Sequence, residues 1–226
     1  MVKDNCLYLI WKEPKTRQRM IVGKLSKDNG YKFVYIQDYQ KAKKLGWEML
    51  KPFPETKVYE SDVVFPVFSS RLPDPKRRDI EKILAQYGLK EYDEYDLLRK
   101  TGAKLPIDSY EFIDPIFPDD ENISKFFYVA GTRHNAPCLG ESCAWRDEIH
   151  VGDELVLERE KNNEYDEYAV RVSLGDLVVG YVPKFYSEPV SGRLDRGMSY
   201  SCTVTKVCTE KDCCECVQVH LQMPKC

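Results

Sequence analysis

The sequence predicts an α+β protein of two small domains, an N-terminal α+β domain and a mostly-β C-terminal one. Three observations predict it. Apolar residues alternate along 6–36 around the turn signal Asp28-Asn29-Gly30, and helical spacing takes over after residue 61. Alternation returns between residues 155 and 182 with no helical stretch inside it. Between the two patterns lies Asp114-Pro115-Ile116-Phe117-Pro118-Asp119-Asp120-Glu121-Asn122, whose prolines and acidic residues mark an exposed joint. The expected division is residues 1–115, a linker at 116–123, and residues 124–226.

The first domain reads as a small antiparallel sheet with about three helices. Strands are expected at 6–11, 19–25 and 31–36, and a closing strand at 109–113. A short helix fits 38–50, stopped by Pro52 and Pro54. Ser61-Asp62 is suited to cap a helix through 63–72, with Pro66 in its opening turns. Ile80, Ile83, Leu84 and Tyr87 share a helical face that ends at Gly88, and Tyr95, Leu97 and Leu98 another that ends at Thr101-Gly102. In the second domain Leu155 and Leu157, then Tyr168, Val170 and Val172, sit at period 2. The polar turn Lys161-Asn162-Asn163-Glu164-Tyr165-Asp166 joins them. Leu177 to Val182 is a third strand, Lys184 to Ser187 a short helix, and 200–207 with 216–221 a final strand pair.

Composition narrows the function classes. With 42% hydrophobic and 31% charged residues the chain should fold. A formal net charge of -3 excludes coating duplex DNA by bulk charge, so any nucleic-acid site must be local. From residue 124 on there are 12 Lys and Arg against 16 Asp and Glu, which favours a focused pocket over a basic groove. No apolar run approaches the roughly 18 residues of a membrane span, and the N-terminus lacks a signal-peptide core. The expected location is the cytoplasm, with no membrane partner.

Eight of the nine cysteines lie at residue 138 or beyond, and an odd total without an export signal argues against a disulfide framework. Cys208, Cys213, Cys214 and Cys216, with His220 and Cys226, lack paired metal-binding knuckles, and adjacent thiolates rarely share one tetrahedral ion. Cys202 and Cys216 fall within strands, where a free thiol packs as a small apolar group. No metal or cofactor is expected. Lys76-Arg77-Arg78 reads as a solvated helix start offset by Asp74, Asp79 and Glu81. No phosphate loop, nucleophile elbow or paired-His motif is present; Cys138 with His150 lacks any supporting pattern, and no catalytic residue is assigned.

Several short motifs in the second half occur in a characteristic order: Phe127-Tyr128-Val129-Ala130-Gly131-Thr132-Arg133, Gly152-Asp153, Leu157-Glu158-Arg159-Glu160, Asn163, Tyr165-Asp166, Ala169-Val170 and Gly180-Tyr181-Val182-Pro183. Together they resemble a HIRAN domain, a small β-barrel module of the OB/SH3-like kind found in DNA-repair translocases and short bacterial proteins. The resemblance implies binding to the 3′ end of single-stranded DNA through Arg133, His134, Asn163, Tyr165, Asp166, Tyr181 and Lys184. Tyr165 would stack on the terminal base, with His134 on its other face. Asp166 would accept a hydrogen bond from the terminal 3′ hydroxyl, and Arg133 and Lys184 would hold nearby phosphates. His134-Asn135 stand where DNA-end-binding relatives have two tyrosines, and Tyr181 where they have a histidine. The alternative reading makes 163–166 a plain hairpin turn with Tyr165 packed on the barrel.

A second set, Val22-Gly23-Lys24-Leu25, Tyr31-Lys32-Phe33-Val34-Tyr35, Phe65 through Asp74 and Asp96-Leu97-Leu98 to Gly102, is similar to the N-terminal subdomain of HipA-type toxin kinases. The kinase core has no counterpart here, so the resemblance implies a domain that docks a protein partner, not a kinase. The expected protein is a non-enzymatic accessory factor for single-stranded DNA ends. The alternative is an interaction module or antitoxin-like regulator of a toxin–antitoxin or phage-defence system.

Overall fold

The structure, a computed structural model, describes residues 5–36, 38–117, 120–132, 147–208 and 216–224. Its contacts divide the chain into two compact units, Met1–Pro115 and Ile116–Cys226. It is mixed helix and sheet, as the sequence predicts, with five helices and three antiparallel sheets among the described residues.

The first unit is a five-stranded antiparallel sheet. Strands β1 (Cys6–Lys12), β2 (Arg19–Lys27), β3 (Tyr31–Tyr35), β4 (Tyr59–Ser61) and β5 (Tyr110–Ile113) lie in the order β4-β3-β2-β1-β5. Period-2 alternation turns Leu7 and Leu9, and Met20 and Val22, into the core; a bulge at Val22 shifts the register so that Leu25 faces the same side, where Phe33 joins them. Phe33 stacks on Phe53 with ring centroids 4.6 Å apart and meets Phe68 edge-on at 5.2 Å. A Cβ on Gly23 would come within 2.6 Å of the Phe33 ring, so the Val22-Gly23 motif is what admits that ring against β2. Burying one such aromatic stabilises the fold by about 1.5–3 kcal/mol.

Four helices belong to this unit: α1 (Tyr39–Lys44), α2 (Pro66–Ser69), α3 (Ile80–Gln86) and α4 (Glu94–Thr101). The helix expected from Ser61-Asp62 is shorter and starts later. Ser61 instead ends β4, where its hydroxyl accepts a bond from the Val63 N–H, and Pro66 opens α2 at a position needing no N–H. Helix α4 is closed at both ends, by the Asp93 carboxylate accepting from Asp96 N–H and by Gly102 in the left-handed region at φ 68°. Arg71, just after α2, ties the unit together. It pairs with Asp108 and donates to the carbonyls of Ala103 and Tyr110.

The second unit holds two three-stranded antiparallel sheets. One has the order β10 (Ser201–Val207), β11 (Val217–Met223), β6 (Ile123–Tyr128). The other has the order β7 (Val156–Arg159), β8 (Val170–Leu174), β9 (Leu177–Tyr181). The two are joined at both edges by short bridges. Ala130 exchanges both backbone bonds with Tyr181, at 2.8 and 2.9 Å. Asp153–Leu155 bonds to Cys202 and Val204 of β10. The strands thus form a ring whose ladder is not continuous, and no closed barrel is formed among the described residues. Gly180 makes the first junction feasible. At φ +156° it brings its α-carbon so close that a Cβ would lie 2.3 Å from the Ala130 carbonyl oxygen.

The helix after Pro183 is longer than the sequence suggests. Helix α5 runs Lys184–Asp195 with Pro189 inside it. Tyr186 and Val190, four residues apart, both face the core, and this apolar stripe outweighs the bond Pro189 removes. Arg193, 2% exposed, donates to the carbonyls of Asp120 and Met223. Asp120 lies in the stretch expected as linker, which the contacts assign to the second unit. No helix is long and apolar enough to cross a membrane among the described residues.

Candidate nucleic-acid-end site

The turn between β7 and β8 carries three of the expected site residues, and its shape follows from Asn163. The Asn163 side-chain oxygen accepts the backbone N–H groups of Tyr165, at 2.9 Å, and Asp166, at 3.1 Å. Both residues are thereby oriented by one amide, the usual reason Asn starts a turn. The Asp166 Oδ1 accepts from Tyr168 N–H at 3.0 Å, and the Asp166 carbonyl from Ala169 N–H at 2.9 Å. Tyr165 stands at the tip, 87% exposed. It does not pack on the sheet, as the plain-turn reading required.

Two neighbouring residues brace this turn from below. Arg159 donates to the carbonyls of Glu167 and Ala169 and pairs with Asp195 at 3.3 Å. Glu160 accepts from the Asn163 side-chain amide at 3.2 Å, while its carbonyl accepts the Asn163 N–H. Partial burial raises the Tyr181 pKa, and the Glu160 carboxylate raises it further, so the phenol stays protonated. Glu158, Arg171 and Tyr181 face one another across β7, β8 and β9, with Arg171 and Glu158 paired at 2.6 Å. Lys184, first residue of α5, lies exposed with its ammonium 3.4 Å from the Tyr165 carbonyl.

Asn163, Tyr165, Asp166, Tyr181 and Lys184 therefore cluster about one turn and one strand end. Arg133 and His134 lie outside the described residues, as do Cys138, Cys143, Cys213, Cys214 and Cys226. The sequence reading missed Glu160 as a member of the cluster. Its spacing from Asn163, three residues, was visible; its influence on Tyr181 depends on how β9 returns beside β8.

The cysteine set is partly described. Cys202 and Cys216 are buried, and burial pushes the Cys202 thiol up to about 12. His220 bonds Ser124 at 2.9 Å and stacks on the Phe126 ring at 4.1 Å. No group of three potential metal ligands occurs among the described residues. His150 is exposed, and the Asp153 carboxylate accepts its backbone N–H. In the first unit Lys76, Arg77 and Arg78 are exposed, and Arg77 is paired with Asp79 at 2.8 Å.

Residues 124–218 match the family model of the HIRAN domain. The chain carries a HIRAN domain. Residues 17–106 match the family model of the HipA N-terminal domain. Two solved structures show a partial likeness to this chain. The HIRAN domain of human HLTF is 18% identical, with a TM-score of 0.35, covering 47% of this chain and 83% of that one. A protein from Lactobacillus plantarum is 21% identical, with a TM-score of 0.35, covering 45% of this chain and 96% of that one. The assignment of the HIRAN domain rests on the family match rather than on these likenesses. Among curated proteins none matches the chain.

Proposed function

We propose that this protein is a non-enzymatic accessory factor that recognises single-stranded DNA at free 3′ ends through its HIRAN domain, while its HipA N-terminal domain docks a protein partner. The observation that carries the reading is the turn at 163–166. It holds an aromatic ring in solvent, with a carboxylate on the next residue and an ammonium 3.4 Å from the ring residue's carbonyl. An exposed ring stacks on any base, and a lysine beside it meets a phosphate. A carboxylate in the same place repels an internal phosphate and accepts a bond from a terminal hydroxyl. The combination selects a strand end over a strand interior. Its action is cytoplasmic and needs no bound cofactor.

A second reading is supported by the HipA N-terminal match: a protein-interaction module or antitoxin-like regulator of a HipA-type toxin–antitoxin or phage-defence system, with the HIRAN domain as scaffold. Fluorescence anisotropy with matched oligonucleotides bearing free or blocked 3′ ends separates the two. Preference for the free end supports the first. Absence of binding at low salt, together with a stable complex with a HipA-type kinase, supports the second and overturns the first.

A further inference from the structure

The sheet β10-β11-β6 turns one face to the core, through Phe127, Val217, Val219, Leu221 and Cys202, and the other outward. On the outward face the register sets two rows across the three strands. His220 lies between Thr203 and Phe126, and Gln218 between Lys206 and Tyr128. The Phe126 ring is 60% exposed, yet it is held. His220 stacks on it with centroids 4.1 Å apart and planes 6° from parallel. The Ser124 hydroxyl bonds the His220 Nε2 at 2.9 Å and so fixes the imidazole. Tyr128, two residues on, shares this face, roughly 6.5–7 Å along the strand.

Charge decides what such a face suits. Strands β6, β10 and β11 contain no Asp or Glu, although residues 124–226 hold 16, and Lys206 stands exposed in the row of Tyr128. Glu154 accepts the Thr203 hydroxyl at the β10 edge, on the side away from Phe126. A ring buttressed on one side offers its other side to a base, and the amides and hydroxyls around it bond base edges. A protein partner meets two rings among polar groups here rather than a contiguous apolar patch.

We propose that the outward face of this sheet is a second binding surface for single-stranded DNA, which takes bases from the interior of a strand by stacking on Phe126 and holds their backbone through Lys206. It lies on a different sheet from the turn at 163–166 and needs no strand end.

The test uses a closed circular single-stranded DNA, which has no end to read, titrated against the full chain beside linear strands with free and blocked 3′ ends. Wild type should bind the circle. Phe126→Leu keeps the apolar bulk and removes the π-face, so it should weaken the circle about fivefold or more, while Phe126→Trp binds it at least as tightly as wild type. Neither change should alter the ratio of free-end to blocked-end affinity. Lys206→Gln should flatten the salt dependence of circle binding by about 0.7 in the log–log slope. No circle binding by wild type, or equal binding by Phe126→Leu, overturns the inference. Should Phe126→Leu not fold, Lys206→Gln decides, and an unchanged slope overturns it. Self-association of wild type in sedimentation that Phe126→Leu abolishes, without circle binding, would make the face a contact between copies and also overturns it. A wild type that binds free linear ends but no circle removes this inference alone. One that binds the circle and both linear ends alike removes the end-recognition reading alone.

Discussion

Replacing Tyr165 with alanine should separate binding from stability more cleanly than any other change in the chain. The ring is 87% exposed, so its removal strips no core and should alter stability by no more than about 0.5 kcal/mol. Binding is different, since a base stacked on that ring contributes about 1–3 kcal/mol whatever its identity. The expected loss is roughly 5- to 150-fold in Kd, the same for free and blocked ends. Asp166 should behave in the opposite way. Its Oδ1 receives the Tyr168 N–H, so alanine would loosen the turn as well as remove the charge. Asparagine keeps that acceptor and is the sharper probe. Asp166→Asn should cost about 1.5–3 kcal/mol of preference for a free 3′ hydroxyl. It should also bind a 3′-phosphate strand better than wild type does, because a repelling charge is gone. Anisotropy titrations at fixed low salt, run beside thermal melts, measure both. If Tyr165→Ala leaves Kd unchanged, or lowers the melting temperature in step with affinity, the stacking argument fails. If Asp166→Asn changes all ends equally, the hydroxyl argument fails.

Lys184→Ala and Arg133→Ala should each flatten the salt dependence of single-strand binding by about 0.7 in the log–log slope; an unchanged slope removes that residue from the phosphate contacts. Gly180→Ala should destabilise the second unit by about 1–3 kcal/mol through overpacking alone, because its Cβ meets the Ala130 carbonyl at 2.3 Å; a denaturant midpoint equal to wild type would contradict this. Burial lowers the His220 pKa below its usual 6.5, so its neutral form favours the fold and that stability is complete above pH 6.5. It is lost as pH falls through 6.5 toward the lowered native value, so His220→Gln should reduce the acid-side loss in a pH series of melts, and an identical pH profile counts against it. Residues 1–115, expressed alone, should fold cooperatively, since the Phe33-centred core draws on no residue beyond Phe112 among the described residues; a fragment without a melting transition would refute this.

Local patterns carried much of the fold. Where one sheet face is buried, alternation along 6–11, 19–25 and 155–182 dictates which side chains enter the core. Asp93 and Gly102 bound α4 by chemistry that acts within a single turn of helix. Reading failed where a signal was ambiguous at short range. Ser61-Asp62 has the composition of a cap, yet Ser61 pairs with Tyr31 at the sheet edge because β3 lies beside it. The short helix expected over 184–187 runs on to Asp195, past Pro189, because Tyr186 and Val190 gain a core to face.

The candidate site divides in the same way. Asn163, Tyr165 and Asp166 are neighbours in the chain, and the bonds that shape their turn span two or three residues, so their arrangement was legible in the sequence. Tyr181 and Lys184 come from another strand and a helix start, and only the return of β9 beside β8 and the reach of Lys184 to Tyr165 bring them there. Glu160 belongs to both groups. Its bond to Asn163 is local, but its effect on Tyr181, whose pKa the carboxylate raises, exists only once the three strands lie side by side. The sequence by itself determined which groups the turn presents. The tertiary structure decided which further groups meet them, because Tyr181 and Lys184 reach the turn only when a separate strand and helix start fold beside it.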